Sequence, residues 1–279
     1  MFVLKAGGKK EYFNKKNIER SLAAIGLDAK IAKGLSDEVS LRFKKSVSSD
    51  EIFRFVISRL KSYGPEFLGR YNLRRAVMNL GPTGYPFERY VAKVLEEYGY
   101  RTKTNQIVQG HCVKHEIDVM AWKDKTHLIV ECKYHNTHGA RSDLKVALYV
   151  WSRFLDIKKK WEEDPGHKQA EFHGVWLMTN TRFTSEAVQY GECVGMLLTG
   201  WGYPREMSLE KMIHDKKLYP IDIFPDWNGK LNYHKLYESE ISLLRDCLNF
   251  SAKEFSKKSG LKEVEAAIFQ SEALRLIGN

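Results

Sequence analysis

Asp118, Glu131 and Lys133 are spaced so that two strands and one tight turn would bring them to a single point. Lys123-Asp124-Lys125-Thr126 is a polar turn between hydrophobic runs. With Asp124 and Lys125 at its centre, opposed residues carry numbers that sum to 249, and Asp118 then faces Glu131. Opposed Cβ atoms on neighbouring strands lie roughly 5 Å apart, and like charges there are destabilising. In a sheet flanked by helices one of the two acids would be driven to protonate. A hard divalent cation such as Mg²⁺ or Mn²⁺ removes the conflict, because it takes carboxylate oxygens while keeping waters and substrate phosphate as its other ligands.

Lys133 lies two residues beyond Glu131 and therefore points to the same face of the strand. It is placed to hold a scissile phosphate or to orient an attacking water. Glu88, on a helix ahead of the sheet, adds a third carboxylate or a second metal position. The chemistry expected of Glu88, Asp118, Glu131 and Lys133 is metal-dependent hydrolysis of a phosphodiester, in which the cation polarises a phosphoryl oxygen and acidifies a bound water. Lys133 offsets the negative charge that builds up during attack. The scheme needs no Ser, Cys or His nucleophile, and no convincing triad is present. His135 and His138 follow the strand closely and read as loop histidines at a sheet edge. Arg141 and Lys145 at the next helix start are candidate phosphate contacts.

The elements that must position these residues occupy 85–200. Phe87, Val91, Val94 and Leu95 define an amphipathic helix closed by Gly99. Strand-like runs follow at Arg101–Val108, His115–Trp122 and His127–Tyr134. A long helix is expected from about Ser142 to Glu162, a buried strand at Gly174–Thr179, a capped helix at Thr184–Tyr190 and a last strand at Val194–Leu198. This α-β-β-β-α-β-α-β order predicts an α/β fold with one mixed sheet flanked by helices.

Gly81-Pro82-Thr83-Gly84-Tyr85-Pro86 breaks any helix and marks a boundary with residues 1–80. There a short hairpin of Phe2–Leu4 with Glu11–Phe13 is expected around Gly7-Gly8. Asn14 is placed to cap a helix bearing Ile18, Leu22 and Ile25. A second helix is predicted over Ala29–Phe43, a third after the capping-box pair Ser48 and Glu51, and a fourth after Pro65. The C-terminal region, 201–279, is punctuated by Pro204, Pro220 and Pro225 and ends in short helices over 239–278, broken at Ser259-Gly260.

Charge is concentrated in the first of these segments. The net charge is +10, and residues 1–80 hold 10 Lys and 7 Arg against 8 acids, so most of the attraction for a polyanion should come from there. With 43% hydrophobic and 29% charged residues, the chain reads as an ordinary globular protein of two or three domains. It has no run of about 18 apolar residues that would cross a membrane, and the Met1–Lys5 opening lacks a secretory core, so a cytoplasmic protein is expected. Cys112, Cys132, Cys193 and Cys247 form no CxxC pair. His111, Cys112 and His115 have the residue types of a metal cluster, but a polar strand edge beside a loop is the preferred reading.

Phe87-Glu88-Arg89-Tyr90, Glu116-Ile117-Asp118-Val119 and Val130-Glu131-Cys132-Lys133, with Ala147-Leu148-Tyr149, Arg153-Phe154 and Met178-Thr179-Asn180 behind them, resemble the Mrr-type restriction endonuclease domain. That is a PD-(D/E)xK nuclease, and the resemblance covers about 85–200. It implies a restriction-endonuclease-like fold and a metal-dependent endonuclease acting on DNA, for which a homodimer would suit a double-strand break. Val3-Leu4-Lys5, Glu11, Phe13-Asn14, Ile18 and the Tyr71…Arg74-Arg75 ending resemble an ATP-cone, a mostly helical nucleotide-sensing module. That resemblance places Lys5, Glu11 and Asn14 against ATP or dATP, and neighbouring Lys9 is suited to a phosphate. The family's Lys-Arg-Asp-Gly opening stands here as Lys5-Ala6-Gly7-Gly8, and Asn17 replaces a lysine. Residues 239–278 resemble a helix-hairpin-helix DNA-binding unit, with one glycine where two are common. A DNA endonuclease tuned by nucleotide is the leading expectation. A nucleotide-responsive DNA-binding regulator with an inactive nuclease fold, or a nuclease acting on junctions or RNA, is the alternative.

Overall fold

The computed structural model describes residues 1–5, 8–80, 84–137, 139–163 and 172–278. The chain forms two compact units, one of Met1–Ala76 with Tyr219–Asn279 and one of Val77–Leu218. The C-terminal region expected as a separate segment is therefore divided. Residues 201–218 belong with the sheet unit, and those from Tyr219 onward belong with the N-terminal segment.

In the first unit, β1 (Phe2–Leu4) pairs antiparallel with β2 (Lys10–Tyr12), Phe2 opposite Tyr12. The partner strand thus begins one residue earlier than expected. Asn14 caps α1 (Lys15–Ala24) by accepting the Lys16 N–H at 3.0 Å. Helix α2 (Ala29–Arg42) leads to β3 (Ser46–Ser48), a strand not foreseen, which pairs parallel with β1. Three residues between two strong helix signals carry too little pattern to be read alone. Ser48 and Glu51 form the expected capping box of α3 (Ser49–Leu60), and α4 (Pro65–Met78) follows.

The second unit opens with α5 (Tyr85–Glu97), which buries Phe87, Tyr90, Val91, Val94 and Leu95 along one side. Strands β4 (Arg101–Gln109), β5 (Lys114–Lys123) and β6 (Thr126–Lys133) form an antiparallel meander. Next come β7 (Arg141–Ser142), α6 (Leu144–Glu163), β8 (Phe172–Thr179), β9 (Arg182–Phe183), α7 (Ser185–Val194), β10 (Leu197–Thr199) and α8 (Leu209–Lys216). The main sheet has the order β10-β8-β6-β5-β4, parallel in its first half and antiparallel in its second. This is a mixed α/β fold whose sheet is flanked by helices, as expected. One core joins Ile117, Ile129, Val175 and Leu177 of the sheet to Ala147, Val150, Phe154 and Ile157 of α6 and to Ala187 of α7.

The rest of the first unit contains α9 (Tyr233–Glu238), α10 (Ala252–Ser259) and α11 (Glu263–Gly278). Gly260, at φ 78°, ends α10 in the left-handed region and permits the turn into α11. The helix break expected at Ser259-Gly260 is present. The start of α11 carries Glu263 and Glu265, and Glu265 takes the Lys262 N–H at 3.0 Å. Those acids occupy the place where a phosphate would need backbone donors. The described residues contain no helix long and apolar enough to cross a membrane.

Candidate active site

The site forms where the β5–β6 ladder opens. Lys123 pairs with Thr126 around Asp124-Lys125, and the register runs up to Val119 opposite Val130. Asp124 takes the positive φ, 53°, that such a tight turn requires. The register is the one that sets Asp118 opposite Glu131, but main-chain pairing stops one rung short of them. In an antiparallel ladder the rungs alternate, so Ile117 and Cys132 should exchange the next pair of main-chain bonds. Instead Cys132 donates its N–H to Asp118 Oδ2 at 2.7 Å. On the other side, β4 pairs Thr104 with Val119 and Gln106 with Ile117, skipping the rung that would join Asn105 to Asp118. Asn105 adopts φ 57° there, a left-handed conformation that Asn tolerates better than most residues. Asp118 thus sits where both ladders of β5 are interrupted.

Arg153, on α6, closes the opening. Its Nη1 donates to Glu131 Oε2 and its Nη2 to the Glu116 carbonyl, so one guanidinium ties β5 to β6 beyond the last rung. The pair is largely buried, at 10% exposure for Arg153 and 16% for Glu131. Tyr149, one turn earlier on α6, lays its ring 5.4 Å from the guanidinium. Sequence reasoning gave Arg153 no role. The available signals were Arg153-Phe154 within the Mrr-type resemblance and a cation beside buried Phe154 on the flank of a helix otherwise expected to face the core.

The acids press on one another. Burial, opposed chiefly by the Cys132 N–H and Arg153, raises Asp118 above the usual carboxylate range. Burial and then the Asp118 carboxylate raise Glu131, against the pull of Arg153 and Lys133. Burial, with Asp118 and Glu116 nearby, pushes half-buried Glu88 up to about 7. Glu88 makes no side-chain hydrogen bond among the described residues. A Cβ at Gly84 would come within 3.2 Å of its Oε1, so the side chain folds back over the start of α5. Lys133 is exposed and lowers both Asp118 and Glu131 without a close ion pair. All four residues picked from the sequence therefore share one electrostatic neighbourhood.

The donor set is hard oxygen from two adjacent strands and a helix, which suits Mg²⁺ or Mn²⁺. One oxygen of Asp118 and one of Glu131 are already engaged, leaving Oδ1 and Oε1 for a cation. Among the described residues no three His, Cys, Asp or Glu side chains gather in metal-ligating geometry. Mutual repulsion among the acids and the guanidinium on Glu131 both oppose closer approach.

Other candidates are resolved differently. Asp156, one turn past Arg153, accepts the Cys112 N–H at 2.8 Å and meets His115 Nε2 at 2.7 Å, while His111 Nδ1 pairs with Glu163 at 2.6 Å. These contacts tie the β4–β5 connection to α6. His135 Nε2 lies 3.1 Å from Ser142 Oγ, and burial followed by the nearby Lys133 charge holds its imidazole below the ordinary histidine value. His138 lies outside the described residues.

In the first unit, Lys5, Glu11, Asn14, Asn17, Ser21 and Tyr71 line one cleft of about 150 Å³. Small-molecule sites typically span about 300 Å³ or more, so this cleft has room for part of a nucleotide. Glu11 pairs with Lys9 at 3.2 Å and with Lys5 at 3.5 Å, and hydrogen bonding to Lys9, then the Lys5 charge, lowers its carboxyl. Three of the four residues expected to contact nucleotide line the cleft. Lys9 reaches it only through Glu11.

No family model matches the chain. It is 38% identical over 188 residues to an uncharacterized protein of Archaeoglobus fulgidus, a match covering 67% of this chain and all of the relative. The chain belongs to that protein's family. A crystal structure of a protein of unknown function, AF1548, superposes with a TM-score of 0.57 at 37% identity, over 70% of this chain and 99% of the other. The α/β architecture is thus shared with that crystal structure.

Proposed function

We propose that the second unit is a divalent-metal-dependent DNA endonuclease of the PD-(D/E)xK class, similar to Mrr-type restriction enzymes. The observation that carries this reading is the break in the β5–β6 ladder at Asp118, which leaves Asp118, Glu131 and Lys133 projecting at one opening with Glu88 beside them. Asp118 and Glu131, with Glu88 as a further ligand, would hold Mg²⁺ or Mn²⁺. When bound, such a cation supplies Lewis acidity and an acidified water. The Cys132 N–H fixes the Asp118 carboxylate and Arg153 fixes that of Glu131, so neither has to be ordered when substrate arrives. The Lys133 ammonium would hold the scissile phosphate and offset the charge that grows on its oxygens. The cleft around Lys5, Glu11 and Asn14 supports a nucleotide-sensing role for the first unit, with ATP or dATP as ligand.

Supercoiled plasmid incubated with Mg²⁺ or Mn²⁺ tests the reading. Wild-type protein should nick it, and Asp118→Ala and Lys133→Ala should not. A second reading, a DNA-binding regulator without turnover, draws on two observations. Arg153 already neutralises Glu131, and no three described ligand side chains converge. Equal inactivity of all three proteins with retained gel retardation would favour the regulator. Duplex, branched and single-stranded DNA and RNA run side by side identify the polymer.

A further inference from the structure

Two arginines stand side by side just past the main sheet. Strands β7 and β9 pair in parallel with Arg141 opposite Arg182 and Ser142 opposite Phe183. Both arginines are exposed, and neither makes an ion pair or side-chain hydrogen bond among the described residues. Neighbouring strands are about 4.8 Å apart, and like charges directly opposite destabilise a ladder. An anion between them reverses the sign of that interaction.

The two-stranded patch is firmly held. Ser142 and Phe183, the next rung, are buried. The Ser142 hydroxyl meets His135 at 3.1 Å, and its carbonyl accepts the Thr184 N–H at 3.0 Å. The Asn180 side chain accepts the His135 N–H at 2.9 Å and donates to the His135 carbonyl at 2.8 Å. Side chains on such a support need little ordering to bind.

The patch also lies close to the candidate active site. Lys133 pairs with Thr179 at the end of β6 and β8. Arg182 follows Thr179 by three residues, no more than about 11 Å of extended chain. The charged neighbours in sequence are Asp143, Lys145 and Glu186, the last of which accepts the Ser185 hydroxyl at 3.2 Å at the start of α7. Asp143 uses its carboxylate to accept the Val146 N–H at 3.2 Å at the start of α6, and Lys145 is exposed and cationic.

We propose that Arg141 and Arg182 form a clamp for the phosphodiester backbone of duplex DNA, gripping phosphate beside the one that Lys133 would address. Guanidinium forks match phosphate oxygens bidentately, and exposed arginines free of acidic partners have those donors available. The clamp rests on the nucleic-acid part of the nuclease reading and does not depend on turnover.

The test measures binding of a fluorescent duplex by anisotropy between 50 and 250 mM NaCl, using the full chain carrying Asp118→Asn so that no cleavage intervenes. Adding Arg141→Gln with Arg182→Gln should lower the slope of log affinity against log salt by about 1 to 2, as expected for one or two phosphate contacts. At 150 mM salt that corresponds to a loss of affinity of roughly 5- to 30-fold. Arg101→Gln with Lys103→Gln, which removes the same charge from exposed positions of β4 in the same unit, should leave the slope nearly unchanged. An unchanged slope in the arginine pair, an equal fall in the control, or no duplex binding at 50 mM salt would each overturn the clamp. Failure of the wild-type protein to nick plasmid, with the slope change present, would remove the nuclease reading and leave the clamp standing.

Discussion

The Cys132 N–H points at Asp118 Oδ2, 2.7 Å away, where a regular ladder would have it meet the Ile117 carbonyl. A carboxylate has taken the place of a main-chain rung, and the strands part around it. Asp118→Asn keeps an oxygen for that N–H while removing the charge. Nicking should fall by about 100-fold or more, on the scale of losing one group that stabilises the transition state. The melting temperature should hold or rise, because a buried like charge is gone. Nicking time courses and thermal melts check both, and full activity in the variant would remove Asp118 from the chemistry.

Arg153 separates charge from geometry. Arg153→Lys retains the cation but cannot reach both Glu131 and the Glu116 carbonyl. We expect kcat to drop about 10-fold with KM for DNA little changed, as for an interaction made in the transition state. Arg153→Gln should in addition destabilise the fold by about 3 to 5 kcal/mol, the usual cost of leaving one half of a buried pair. Wild-type kcat in the lysine variant would reduce Arg153 to a counter-charge.

Asp222 sets a pH dependence in the first unit. It is buried, and its Oδ1 has no hydrogen-bond partner among the described residues. Burial pushes its carboxyl up to about 7 from an ordinary 3.8. The folded chain thus holds a proton that the unfolded chain has released. This contribution is fully present below about pH 4 and is lost as pH rises through about 7. Urea melts at pH 5 and pH 8 should show Asp222→Asn gaining on the wild type at the higher pH. A constant difference between the two proteins would show that Asp222 does not titrate in this window.

Asn14 both caps α1 and lines the cleft. Asn14→Ala should cost about 1 kcal/mol through the lost cap. Asn14→Asp should restore the cap while placing a second acid beside Glu11, so stability returns and ATP affinity does not. Calorimetric titration with ATP, alongside melts of the three proteins, distinguishes the roles. ATP binding by the aspartate variant at wild-type strength would make Asn14 a cap alone.

Much of this arrangement was legible from local chemistry. The turn at Asp124-Lys125, the register of β5 and β6, the caps at Asn14, Ser48 and Thr184 and the helix bearing Glu88 all rest on residues close in sequence. Period and turn type report such features directly. The opening of the ladder was not legible, because it depends on Asp118 taking the Cys132 N–H and on a left-handed residue at Asn105 in the neighbouring strand. Nor could the short strands β3, β7 and β9 be read, since two or three residues carry no periodicity and no hairpin signal such as Gly7-Gly8 marks them.

The amino-acid order by itself determined which side chains can do chemistry and which strand faces carry them, because strand period and turn geometry are local properties of the backbone. Only the tertiary structure decided that Arg153 from α6 reaches Glu131, that Arg141 stands beside Arg182, and that residues from Tyr219 onward join the N-terminal segment. Those pairings join positions from 22 to more than 140 residues apart. They are fixed by packing of the whole chain, which no local pattern encodes.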